Sequence, residues 1–68
     1  MFNSSKELSK REIELIKLLA KGLISKEIAE LLGISKNTVE NHKQNMFEKT
    51  GSRNLAELVA YAHVNGLA

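Results

Sequence analysis

The stretch Ser25-Lys26-Glu27-Ile28-Ala29-Glu30-Leu31-Leu32-Gly33-Ile34-Ser35-Lys36-Asn37-Thr38-Val39 holds two helices and the corner between them. Ser25 is placed to cap a helix over 25–32, with Ile28, Ala29, Leu31 and Leu32 as its inward positions. Gly33 stops it, because glycine enters positive φ without steric cost. Ser35 then caps a longer helix over 36–50. Ala29 is small where the two helices must approach, Gly33 follows four residues later in the turn, and Val39 follows six after that as an apolar anchor. A short connection headed by glycine is the geometry of a DNA-reading helix pair. Such spacing also arises by chance in helical proteins, so the weight falls on what surrounds it.

At about 100° per residue, Val39, His42, Met46 and Thr50 share one side of helix 36–50, and Asn37, Asn41, Gln44 and Glu48 share the other. An outward row of amides suits hydrogen bonding to base edges, although any solvated helix face is polar. Charge is uneven along the chain. Between Ser35 and Arg53 stand Lys36, Lys43, Lys49 and Arg53 against Glu40 and Glu48, so the basic excess gathers around this helix.

Upstream, Ser9 followed by Glu12 is a capping-box pattern, and Leu8 with Ile13 supplies the accompanying hydrophobic staple. Ile13, Ile16, Leu19 and Leu23, with Leu15 and Leu18 alongside, recur at helical spacing, which predicts a helix over 10–21 closed by Gly22. Downstream, Asn54 with Glu57 repeats the capping logic for a helix over 55–64, ending before Gly66. Leu55, Leu58, Val59, Tyr61 and Ala62 cover more of that helix than one small core requires. With Leu55 and Val59 serving the core, Leu58, Tyr61, Ala62 and Asn65 are left as a stripe for a partner subunit. The expectation is an all-α domain of four helices over 8–68, preceded by a flexible segment at 1–7.

Sixty-eight residues, 43% hydrophobic and 26% charged, suit one folded domain and no more. Without cysteine there is neither a disulfide framework nor a thiolate zinc site, and two separated histidines have no zinc spacing. His42 reads as a packed residue and His63 as a surface one. Glu12 is accounted for by its capping position and by a salt bridge to a basic residue of a neighbouring helix. No nucleophile and base pair stands out, so neither an enzyme nor a metal or cofactor is expected. Tyr61, Phe2 and Phe47 are too few to form a stacking platform for single strands. No apolar run approaches the roughly 20 residues that span a bilayer, and no apolar segment of a signal peptide follows Met1, which points to the cytoplasm. A net charge of +2 leans only slightly towards an anionic partner.

Leu8-Ser9-Lys10-Arg11-Glu12, Ala20-Lys21-Gly22, Lys26-Glu27-Ile28-Ala29, Ile34 through His42, Lys49, and Ala60-Tyr61-Ala62 together resemble the LuxR-type helix-turn-helix domain (the LuxR/FixJ kind) of bacterial transcriptional regulators. The resemblance runs from Leu8 to Leu67. It implies a third helix lying in the major groove of double-stranded DNA, a second helix and flanks holding phosphates, and a fourth helix pairing two subunits into a homodimer. Carried onto this chain, Glu40, Asn41 and Gln44 fall at base-reading positions. Ser25, Lys26, Ser35, Lys36, Thr38, Lys43 and Lys49 fall near phosphates. Glu40 is the odd member, able to accept from a cytosine amine or to repel a misplaced phosphate. Thr50 departs from the leucine or methionine usual after the lysine. RNA polymerase is a further partner the resemblance implies, with the nucleoid as the site of action and no small-molecule ligand within the domain.

Family members mostly carry an N-terminal receiver or ligand-binding domain, for which 68 residues leave no room, so the chain reads either as a stand-alone member or as a domain of a larger regulator. Two other readings stay open on the residues themselves. A helical protein-interaction module would show a hydrophobic groove in place of the amide face and no salt-dependent DNA affinity. The promoter-reading domain of a sigma factor shares the look of Leu8 to Glu12 but normally lacks an apolar fourth helix.

Overall fold

The computed structural model describes residues 8–67; the segment 1–7, expected to be flexible, lies outside the described residues. Four helices follow one another: α1 (Lys10–Ala20), α2 (Ser25–Leu32), α3 (Lys36–Thr50) and α4 (Leu55–Val64). Every helix starts where a side chain satisfies amides that the first turn leaves without partners. At α1 the exchange is reciprocal: Glu12 N–H donates to Ser9 Oγ at 3.1 Å and Ser9 N–H donates to Glu12 Oε1 at 2.8 Å. Ser35 Oγ accepts from Thr38 N–H at 3.0 Å to open α3, and Asn54 Oδ1 accepts from Glu57 N–H at 2.9 Å to open α4.

The start of α2 differs from expectation. Ser25 is its first helical residue, not its cap; Ile24 occupies the cap position, where its N–H donates to Glu27 Oε1 at 2.9 Å. Glu27 makes a capping hydroxyl unnecessary by reaching back from the third position, which leaves the Ser25 side chain free to turn inward. At α4 the second half of the expected box is also rewired. Glu57 accepts from the Arg53 N–H at 2.7 Å and from its guanidinium at 3.0 Å, instead of from Asn54.

Leu15, Ile16, Leu19, Ile28, Ala29, Val39, Met46, Leu58 and Ala62 form the buried core, to which all four helices contribute. Helix α1 packs on α3 and α4, while α2 leans chiefly on α3. Two turns of helix are marginal in isolation, so α2 persists because Ile28 and Ala29 are buried against its neighbour. Leu31, expected inside, is 63% exposed, since Ile28 and Ala29 already fill the side that α3 covers.

The fourth helix corrects the expected pairing stripe. Leu58 and Ala62 are 0% exposed and belong to the core of the single chain, so neither is available to a second subunit. Tyr61 is half-buried against that core, and Asn65 closes the helix by donating from Nδ2 to the Tyr61 carbonyl at 2.8 Å. Leu55, assigned inward, is 42% exposed. On a helix that is apolar nearly all round, α1 and α3 set which side goes in.

Candidate nucleic-acid interface

The corner between α2 and α3 is closed by its backbone. Gly33 sits at φ 69°, in the left-handed region, and its N–H returns to the Ala29 carbonyl, as does the Ile34 N–H at 3.0 Å. Two donors on one carbonyl end α2 sharply, and only glycine holds such a φ without a Cβ penalty of roughly 1–2 kcal/mol. Val39 and Met46, both 0% exposed, then hold α3 against the core, with His42 and Thr50 half-buried at its margin. This fixes the rotation of the helix. Asn37, Asn41, Gln44 and Glu48 are all exposed on its far side, and Gln44 makes only a long 3.5 Å approach to Glu48.

Beside that row lies a cleft of about 460 Å³, lined by the apolar Leu19, Leu23, Ile24 and Leu55 and carrying Lys26 from α2 with Lys36, Glu40 and Lys43 from α3. Ser35 and Thr38, two of the three hydroxyls expected near phosphate, stand 2.8 Å apart at the start of α3, where helix amides and positive charge favour an anion. Ser25 also lines this cleft, but it is buried, and in the free domain its hydroxyl accepts from Lys43 Nζ at 3.2 Å, joining α2 to α3.

Glu40 Oε2 lies 3.6 Å from the same Lys43 ammonium. The neighbouring Ser25 hydroxyl, then Lys43 and Lys36, hold the Glu40 carboxyl below the usual carboxylate range against a smaller opposing effect of burial. Glu40 is therefore ionised near neutrality and electrically tied to the cleft.

Lys49 has a partner outside the cleft. Its Nζ donates to Glu12 Oε1 at 2.8 Å, joining the end of α3 to the start of α1, and Glu12 itself is only 3% exposed. Burial pushes the Glu12 carboxyl up, but the Lys49 ammonium and the Ser9 backbone and hydroxyl donors together bring it below its ordinary value. With its ammonium on a buried carboxylate, Lys49 ties α3 to α1 in the free domain. Sequence reasoning anticipated a salt bridge at Glu12 without identifying Lys49. The bond from Lys43 to Ser25 had no local signal, because the residues are 18 apart in the chain.

The geometry thus joins a glycine corner, a helix with an exposed amide face and a cluster of lysines beside it. Comparison with known proteins bears on the same residues: the family described as GerE, "Bacterial regulatory proteins, luxR family", matches residues 6–62. The chain belongs to this LuxR family. It is a DNA-binding helix-turn-helix domain of the kind that regulates transcription. Among LuxR-family relatives, "Oxygen regulatory protein NreC" of Staphylococcus aureus strain JH9 is 53% identical over 57 residues, covering 84% of this chain and 26% of that protein. The protein of the same name from strain MSSA476 matches with the same figures. The chain spans about a quarter of the length of the curated relatives it matches. Among the described residues, no helix of this LuxR-family domain is long and apolar enough to cross a membrane.

Proposed function

We propose that the chain reads specific sequences in double-stranded DNA, with α3 in the major groove, as the output domain of a bacterial transcriptional regulator. The exposed amide row on α3, set opposite the buried Val39 and Met46, carries this reading. Asn41 and Gln44 are assigned to base edges. Lys26, Lys36 and Lys43, with Ser35 and Thr38, are assigned to the phosphates on either side. The staphylococcal relatives are named oxygen regulatory proteins, and regulation linked to oxygen is the corresponding proposal for a protein containing this domain. Its place of action is then the cytoplasm, on the nucleoid, with RNA polymerase as a partner.

Dimerisation on DNA through α4 belongs to the same proposal, with its surface redrawn. Ala56, Ala60, His63 and Val64 are exposed on the side of α4 away from Leu58 and Ala62, and half-buried Val59 flanks them. Short side chains at Ala56 and Ala60, four apart, let a second α4 approach closely. One helix pair buries far less than the roughly 1,200–2,000 Å² of a stable interface, so DNA is expected to bring the subunits together. Selection from a random duplex pool tests both parts at once. A pair of symmetric half-sites is the expected product, whereas a pool without enrichment would rule out sequence reading.

A further inference from the structure

Glu40 sits where the phosphate side and the base side of α3 meet. Three residues on, Lys43 turns towards α2; four residues on, Gln44 points outward beside Asn41. Lys43 has a side chain only 19% exposed, and both polar groups close to its ammonium, Ser25 Oγ at 3.2 Å and Glu40 Oε2 at 3.6 Å, come from the protein itself. In the free domain this lysine is therefore already engaged within the protein. A phosphate must compete with the Glu40 carboxylate to win it, and the carboxylate, 46% exposed, repels that phosphate directly.

We propose that Glu40 is a specificity-determining latch: it holds Lys43 in the free domain and releases it to a phosphate only where the major groove offers Glu40 a base-edge amine. Cytosine N4 is the donor of that kind to which a carboxylate pairs. The inference rests on the reading of α3 as the groove helix. On non-cognate duplex Glu40 keeps Lys43, and the domain binds with one fewer free cation than its sequence suggests. On a cognate site Glu40 gains a new partner, Lys43 moves to the backbone, and a base contact and a phosphate contact form together. Ser25 contributes by keeping the Lys43 ammonium near the cleft wall during the exchange.

A double-mutant cycle read at several salt concentrations tests this. Native protein, Glu40→Gln, Lys43→Met and the double variant are titrated against a random-sequence duplex and against the duplex that the native domain enriches from a random pool. Circular dichroism confirms that each variant is folded. Glu40→Gln should bind the random duplex more tightly, with a log-log salt slope steeper by about 0.9 per domain as Lys43 becomes free. Its advantage over native should consequently shrink about threefold between 50 and 200 mM salt. On the enriched duplex the same substitution should weaken binding by about fivefold or more, the lower end of a lost base-edge contact. On the Lys43→Met background Glu40→Gln should leave the slope unchanged. An equal steepening with and without Lys43 would overturn the latch while leaving DNA reading intact. Failure of the native protein to bind any duplex in a salt-dependent way would overturn the DNA reading and the latch with it.

Discussion

Lys49→Met removes the positive partner of a carboxylate that is 3% exposed, while keeping an apolar stem of similar length. Taking one partner from a fully buried pair costs about 3–5 kcal/mol, because the surviving charge is stranded away from water. The Lys49 side chain is 27% exposed, so solvent can partly replace it, and the lower end, about 3 kcal/mol, is expected. For a domain of this size the whole folding free energy is about 3–10 kcal/mol. The loss is thus a large fraction of the total. At about 4–8 °C per kcal/mol, the thermal midpoint should fall by about 12–24 °C, measurable by circular dichroism melts. Glu12→Gln combined with Lys49→Met should recover more than half of the loss, since no stranded charge remains. The folded pKa of Glu12 lies below its unfolded value, so its contribution is whole above the unfolded pKa and fades as pH falls through the folded one. Without Lys49 the carboxyl titrates higher, acid costs the variant less, and the gap in midpoint should narrow below the ordinary carboxylate range. A neutral-pH shift of under about 4 °C, or a double variant no better than the single one, would refute the reasoning.

Three further outcomes follow from the assigned surfaces. With Lys26, Lys36 and Lys43 engaged in each of two subunits, the log-log salt slope on the cognate duplex should be about −5; an affinity indifferent to salt would dismiss the phosphate assignment. Gln44→Ala should cost about 1–3 kcal/mol at one base position of each half-site, measured by competition with single-base operator variants. An equal loss on matched and scrambled duplexes would move Gln44 to the backbone contacts. Ala60→Asp should leave the helical signal intact and remove cooperative filling of adjacent half-sites, whereas Leu58→Asp, which places a charge at a 0% exposed position, should unfold the domain. A folded Leu58→Asp protein that had lost cooperativity would restore the stripe first expected.

What could be read ahead of the structure was local. Ser9, Ser35 and Asn54 each announce a helix start by a hydrogen bond spanning three residues, and the amide face of α3 follows from a regular period around Val39 and Met46. Helix α4 resisted because apolar residues on most of its circumference leave no contrast to set its phase. Its orientation comes from α1 and α3, and a reading that gave Leu55 and Val59 to the core therefore reversed Leu58 and Ala62. The lysines around α3 looked equivalent for a related reason. Glu12, the partner of Lys49, and Ser25, which accepts from Lys43, are 37 and 18 residues away; only the Glu40–Lys43 pair is local, and charge counted along the chain cannot separate an occupied ammonium from an open one.

The way α3 is held also bears on how such a domain diversifies. Val39, Met46 and Lys49 anchor it from one side, while Asn37, Asn41 and Gln44 are open to solvent on the other. Exchanges at exposed helix positions of this kind usually change stability by less than about 0.5 kcal/mol. On the proposed reading of α3, mutational drift at Asn41 and Gln44 would rewrite the operator letter by letter while the fold stays about equally stable at each step. Glu40 would stand apart from that freedom: it lies 3.6 Å from Lys43, so on the same proposal a lineage that changes this position re-tunes its general affinity for DNA along with its preferred base.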